Sequence, residues 1–229
     1  EDYAGASEAL TYSVALDPND ESSWTMLVQT LNMEKKYDES IDYAKQAIEK
    51  FPHNLYFPLA AAASFRLQDK LDEAIALLDS TDVGEIKNPS AVSNFISFRG
   101  DLLAAKGDTL KALECYDEAI NLDPENLLAL NNAAYFMAEN NLDLEKAEKY
   151  SAKVVKLAPD NPTYLDTYAW IFFKKKDYTL ARQYIDMTLN LCTQPDSAVA
   201  VGIDELDDSA DSVSKEIKHT VIDVETVEE

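Results

Sequence analysis

The stretch Glu21–Asn54, ESSWTMLVQTLNMEKKYDESIDYAKQAIEKFPHN, decides the fold. Trp24, Leu27, Val28 and Leu31 fall on one face at helical spacing, and so do Tyr37, Ile41, Ala44 and Ile48. The charged run Glu34-Lys35-Lys36 separates the two apolar stripes, and Pro52 stands where the second helix should stop. The stretch reads as two helices joined by a turn. A hairpin with one apolar stripe per helix cannot bury itself alone, so it must stack on neighbours.

Outward from this stretch the pattern returns. Ala6, Ser40, Ala74, Ala112, Ala147 and Ala181 form a ladder of small residues with steps of 34, 34, 38, 35 and 34 residues. Three positions before each rung comes Tyr3, Tyr37, Leu71, Thr109, Leu144 and Tyr178, mostly large and apolar. Pro18, Pro52, Pro124 and Pro159 keep nearly the same step. A repeat of this length marks a stacked array. Small residues at the rungs let the two helices of a unit approach closely, and large ones flank the contact.

Composition agrees with helices and narrows the partners. The chain has 229 residues with 46% apolar, enough for a continuous core, and only 5 glycines, which argues against a glycine-turned β architecture. Lys and Arg total 20 against 43 Asp and Glu, a formal net charge of −23. Such a surface repels phosphate backbones and anionic membranes, which disfavours nucleic acid as a partner. No run of 18 apolar residues occurs, so no transmembrane segment is expected. Cys115 and Cys192 stand far apart and outside any CxxC pair, so both are expected to be free.

The residues also carry a family resemblance. Trp24, Leu27, Tyr37, Ser40, Ala47 and Pro52 resemble the signature of a tetratricopeptide repeat, with Val28 where glycine is usual, Leu31 for tyrosine and Ser40 for alanine. Ser93–Asn126 matches independently through Gly100, Gly107, Ala112, Tyr116, Ala119 and Pro124. Leu127–Asn161 matches through Ala134, Ala147 and Pro159, with one extra residue near Asn140–Asp143. Pro162–Pro195 has Ala169, Tyr178 and Ala181 but lacks the closing proline. Leu55–Val92 is the most degenerate: Pro58 sits where Trp24 sits in its neighbour, and about four extra residues within Thr81–Ser90 imply a longer loop.

The resemblance implies an all-α fold, a right-handed solenoid of stacked hairpins over residues 1–195. Its units are a half repeat at 1–20, then 21–54, 55–92, 93–126, 127–161 and 162–195. Glu1–Asp20 reads as the second half of a unit whose first helix lies upstream, so the chain is expected to be a fragment or processed form. Residues 196–229 hold no aromatic residue, with 11 acidic residues against 2 lysines, and read as an acidic tail. Val213, Ile217, Val221 and Val224 allow a capping helix at 212–227. The runs Asn131–Tyr135 and Tyr164–Trp170 are similar to the C-terminal units of large bacterial members of the family. Several of those are cell-envelope proteins, which implies a bacterial, periplasmic-side origin, with a cytoplasmic one as the alternative.

In such an array the first helix of each unit lines a concave groove. Helical spacing then selects Phe98 and Asp101 from one unit, Asn131, Asn132 and Tyr135 from the next, and Asp166, Trp170 and Phe173 from the last. Gln29, Met33, Leu59 and Arg66 come from the earlier units. Asn amides pair with a peptide backbone through donor and acceptor, and Tyr and Trp offer stiff apolar area with a polar handle. The competing reading is that Tyr135 and Trp170 simply pack between adjacent helices.

The carboxylate clamp of chaperone-binding members is not expected. Asn132 supplies an amide, but Ser97, Asp101, Thr163 and Thr167 stand where its cations belong. Arg99 falls where a core residue belongs and calls for a carboxylate partner or a local gap. Histidine occurs only at His53 and His219, and no HExxH, GxSxG elbow or glycine-rich phosphate loop is present. The expectation is a non-catalytic protein-interaction scaffold without metal or cofactor, binding a peptide or partner protein. A structural subunit that stacks through its repeat ends is the alternative.

Overall fold

The computed structural model describes residues 3–193, and the capping helix expected at 212–227 lies outside them. The described residues form eleven α-helices and no strand. They fall into two compact units divided between Pro124 and Glu125. The first holds α1 (Tyr3–Leu16), α2 (Glu21–Met33), α3 (Tyr37–Lys50), α4 (Tyr56–Leu67), α5 (Leu71–Asp79), α6 (Pro89–Ala105) and α7 (Thr109–Leu122). The second holds α8 (Leu127–Glu139), α9 (Leu144–Leu157), α10 (Pro162–Lys174) and α11 (Tyr178–Cys192).

One turn geometry recurs and makes these helices into hairpins. Lys35, Asp69, Gly107, Asn141 and Lys176 each have positive φ, between 49° and 88°, just after a first helix. The following amide reaches back five residues: Lys36 to Leu31, Lys70 to Phe65, Asp108 to Leu103, Leu142 to Met137 and Asp177 to Phe172, all at 2.9 Å. This is the left-handed C-terminal cap that closes a helix and reverses the chain. The extra residue near Asn140–Asp143 falls between this cap and the next N-cap, Asp143. Seven helices begin on an Asp or Asn side chain that accepts from the first turn: Asp20, Asn88, Asp108, Asn126, Asp143, Asn161 and Asp177.

Five of the six rungs pack as their spacing demands. Ser40, Ala74, Ala112, Ala147 and Ala181 are wholly buried. The Ser40 hydroxyl donates to the carbonyl of Val28 across its hairpin at 3.3 Å, so the serine is satisfied where alanine is usual. Ala6 departs from the ladder and is exposed. Among the described residues α1 packs only on α2, at the faces of Ser7 and Val14, and no first helix covers Ala6.

The first unit's core gathers Trp24, Leu27, Val28, Leu31, Phe57 and small residues from α3 and α4. Each large side chain buried this way contributes roughly 1.5–3 kcal/mol. The Trp24 indole N–H donates to the Pro18 carbonyl at 3.1 Å, which ties α2 to the loop before it. In the second unit Tyr168, Phe172 and Tyr184 form an aromatic cluster between α10 and α11, with centroids 4.6–5.7 Å apart. The short helix α5 is followed by the long connection Ser80–Asn88, where the extra residues were expected.

Candidate functional site

Within each unit the first helices of successive hairpins touch, α2 with α4 and α4 with α6 in the first unit and α8 with α10 in the second. Among the described residues, the second helices α3, α5 and α7, and likewise α9 and α11, do not touch each other. First helices that approach while second helices splay make the first-helix row the inner wall of each unit.

In the first unit the inner row carries a loose set of groups. Gln29, Met33 and Arg66 are exposed, and Leu59, Phe98 and Asp101 are half-buried. Asp101 is engaged within its own hairpin, since its Oδ1 accepts the Tyr116 hydroxyl at 2.8 Å. Arg99 ion-pairs with Asp79 of α5 at 2.6 Å, the carboxylate partner its position called for. The Ser64 hydroxyl of α4 bonds Asn32 Oδ1 of α2 at 2.6 Å and locks neighbouring first helices together.

A cleft of about 750 Å³ opens in the same unit, lined by Glu21, Phe51, Asn54, Tyr56, Leu59 and Ile86 among others. Ile86 comes from the long connection after α5, and Asn54 Nδ2 donates to Glu21 Oε1 at 2.6 Å across the cleft wall. Of these lining residues, sequence reasoning selects Leu59 alone. The signal for the others was the lengthened loop, which shows extra chain but not where that chain folds back.

In the second unit the selected residues are mostly buried. Asn131 is 5%, Asp166 3% and Trp170 6% exposed, while Asn132, Tyr135 and Phe173 are half-buried. Asn131 Nδ2 donates to Asn132 Oδ1 at 3.3 Å. Asn131 Oδ1, Asp166 Oδ1 and Trp170 Nε1 are all buried without a hydrogen-bond partner. A buried polar atom without a partner costs about 1–3 kcal/mol, so three on two packed helices are unusual. Burial pushes the Asp166 carboxyl up to about 8. Trp170 stacks on Phe173 at 5.3 Å, and Lys174 Nζ lies 4.5 Å from its ring centroid. The same Lys174 pairs with Glu139 at the end of α8, 3.7 Å away.

Neither cysteine forms a disulfide among the described residues, both are buried, and burial raises the thiol pKa of each. Among the described residues no group of three or more His, Cys, Asp or Glu side chains is placed to hold a metal ion. No described helix is long and apolar enough to cross a membrane.

Residues 94–126 match the family model of the tetratricopeptide repeat. Over 132 residues the chain is 29% identical to the ycf37 protein of Pyropia yezoensis, covering 58% of this chain and 66% of that protein. Over 112 residues it is 28% identical to a TPR repeat-containing protein of Pseudomonas aeruginosa, covering 49% of this chain and 19% of that protein. The matched stretches thus span just under two thirds of the first relative and about a fifth of the second. Among solved structures, YrrB, described as a TPR protein with an unusual peptide-binding site, superposes with a TM-score of 0.59 at 16% identity. That superposition covers 83% of this chain and 94% of YrrB. The APC/C hetero-tetramer Cut9-Hcn1 gives 0.68 at 15% identity, over 96% of this chain and 39% of that one. At such identities the likeness speaks to the fold. The family match at residues 94–126, the recurring capped hairpins and these superpositions together show that the described residues share the fold of tetratricopeptide-repeat arrays.

Proposed function

We propose that this chain is a non-catalytic interaction module that holds a peptide, or an extended segment of a partner protein, against the inner row of first helices. In the second unit the contacts are Asn131, Asn132, Tyr135, Asp166, Trp170 and Phe173; in the first they are Arg66, Phe98 and Asp101. The observation that carries this reading is the trio of buried polar atoms without partners on α8 and α10. Two acceptors and one indole donor left unsatisfied suit a ligand backbone that brings both kinds of group. The peptide-binding site named for YrrB lends the reading a precedent on the same fold.

The test is selection of peptides from a random display library on the full chain, followed by titration of Trp170→Phe, Trp170→Ala and Asn132→Ala. Affinity is expected to fall tenfold or more for Trp170→Ala, and less for Trp170→Phe, which keeps the ring and loses the N–H. Unchanged affinity in all three, with circular dichroism showing folded protein, rejects the site.

A specific observation favours a second reading, assembly through a repeat end. On α1, Tyr12 is 64% and Leu16 87% exposed, and the rung Ala6 of the same helix is exposed as well. Apolar groups so exposed on one helix suit a protein contact. Sedimentation of the chain against its Tyr12→Glu, Leu16→Glu double variant distinguishes it: association lost in the variant supports assembly, and a monomer in both rejects self-assembly through this end.

A further inference from the structure

Resting on that groove reading, we infer that the group received between α8 and α10 is a cation, the ammonium or guanidinium of a basic peptide segment, with Asp166 as its counter-ion and Asn131 as a second acceptor. Asn131 is the fifth residue of α8 and Asp166 the fifth of α10, equivalent positions on two packed helices. Trp170 lies one turn beyond Asp166 on the same helix face. The site therefore offers two buried acceptors, one carboxyl and one amide, a turn away from an aromatic ring.

Lysine and arginine present only donors, three or five of them, and so satisfy both acceptors without adding a new acceptor to be satisfied. The indole N–H asks for the opposite group, which the carbonyl of the same peptide supplies. The Trp170 ring already attracts a cation in the free protein, since Lys174 Nζ sits over it. The surface as a whole carries a net charge of −23, which steers basic segments toward it.

Among the described residues no ion pair joins a cation to Asp166: Lys174 pairs with Glu139, Lys175 with Glu145 and Glu148, and Arg182 with Asp186. From α11 the titratable neighbour is Cys192, whose thiol is raised by burial first and then by the Asp166 charge. From α8 comes Asn131, which does not titrate. The carboxylates that α9 brings to α10, Glu145 and Glu148, are held by Lys175. On α10 itself Tyr164 and Tyr168 are both raised by burial. Nothing on these helices neutralises an ionised Asp166, so burial holds the carboxyl protonated at neutral pH. An arriving cation favours the carboxylate, and the proton leaves to solvent.

The experiment is isothermal titration of the full chain with the display-selected peptides, from pH 6 to pH 9 and in buffers of different ionisation heat. The selected set is expected to be rich in Lys or Arg. Affinity should rise about tenfold from pH 6 to pH 7 and level off above pH 8 to 9, with about one proton released per binding event at pH 7. Asp166→Asn, checked for folding by circular dichroism, should abolish both the proton release and the pH slope. Selected peptides without cationic residues, or a proton release that survives in Asp166→Asn, overturn this inference and leave the groove reading standing. Failure to select any peptide overturns the groove reading and this inference with it.

Discussion

A Cβ placed on Gly100 would stand 2.8 Å from Cε1 of Tyr116, inside the closest approach that carbon atoms make. The ring cannot retreat. Tyr116 is wholly buried, and its hydroxyl is pinned to Asp101 at 2.8 Å. Gly100→Ala sets about 1 kcal/mol of helix propensity gained against about 1–3 kcal/mol of overpacking lost. Because the neighbour is a pinned ring, overpacking should win, with net destabilisation of about 1–2 kcal/mol in urea denaturation. A Gly100→Ala protein as stable as wild type would show that α6 and α7 are not held this close.

The rungs make a paired prediction. Ala112 is wholly buried on α7, whereas Ala6 at the corresponding position of α1 is exposed. Ala112→Leu should cost about 1–3 kcal/mol by overpacking, and Ala6→Leu should change stability by under about 0.5 kcal/mol. Thermal melts of both variants check this. Equal costs would mean that exposure does not separate the two rungs.

Left-handed turns respond to glycine in both directions. Lys35 and Lys176 hold φ of 59° and 66°, which a side chain adopts at a cost, and Gly107 holds 88° with open space around it. Lys35→Gly and Lys176→Gly should each stabilise by about 0.5–1 kcal/mol, and Gly107→Ala should destabilise by about 1 kcal/mol. Because nothing lies near Gly107, a loss there reports backbone conformation alone. Chemical denaturation of the three single variants measures the signs.

Asp166 predicts how stability follows pH. Its folded pKa of about 8 stands above the ordinary 3.8. Between these values the native state binds more protons than the unfolded chain, so stability falls as pH rises from about 4 to about 8. The full linkage is on the order of 5 kcal/mol, and it is complete once pH passes the folded value. Asp166→Asn should flatten this slope and melt higher than wild type at pH 8.5. Parallel pH–stability curves for the two proteins would place the carboxyl in contact with water.

Much of this architecture was legible in the chain alone, because repetition turns weak local signals into a firm one. Trp24 with Leu27 and Leu31, Tyr37 with Ile41 and Ala44, and Pro52 after them mark a hairpin by helical period and helix stop. The return of Ala112, Ala147 and Ala181 at nearly the same step then requires stacking, since none of these stripes can be buried locally. The extra residues before Ser90 and near Asn140 were also visible as breaks in the step.

Other features depended on neighbours that spacing does not name. Ala6 keeps the step of Ser40 yet lies bare, because burial of a rung needs a first helix against it. Asp101 has the helical phase of a groove residue, but Tyr116 from the facing helix takes up one of its oxygens. Asn131 and Asn132 are adjacent in the chain, and only packing of α8 on α10 decides which one is buried without a partner for its oxygen. Period and composition, being local and additive, were set by the order of residues. Whether a polar atom is satisfied and what its carboxyl titrates at are set by desolvation, which is the joint work of every helix around it.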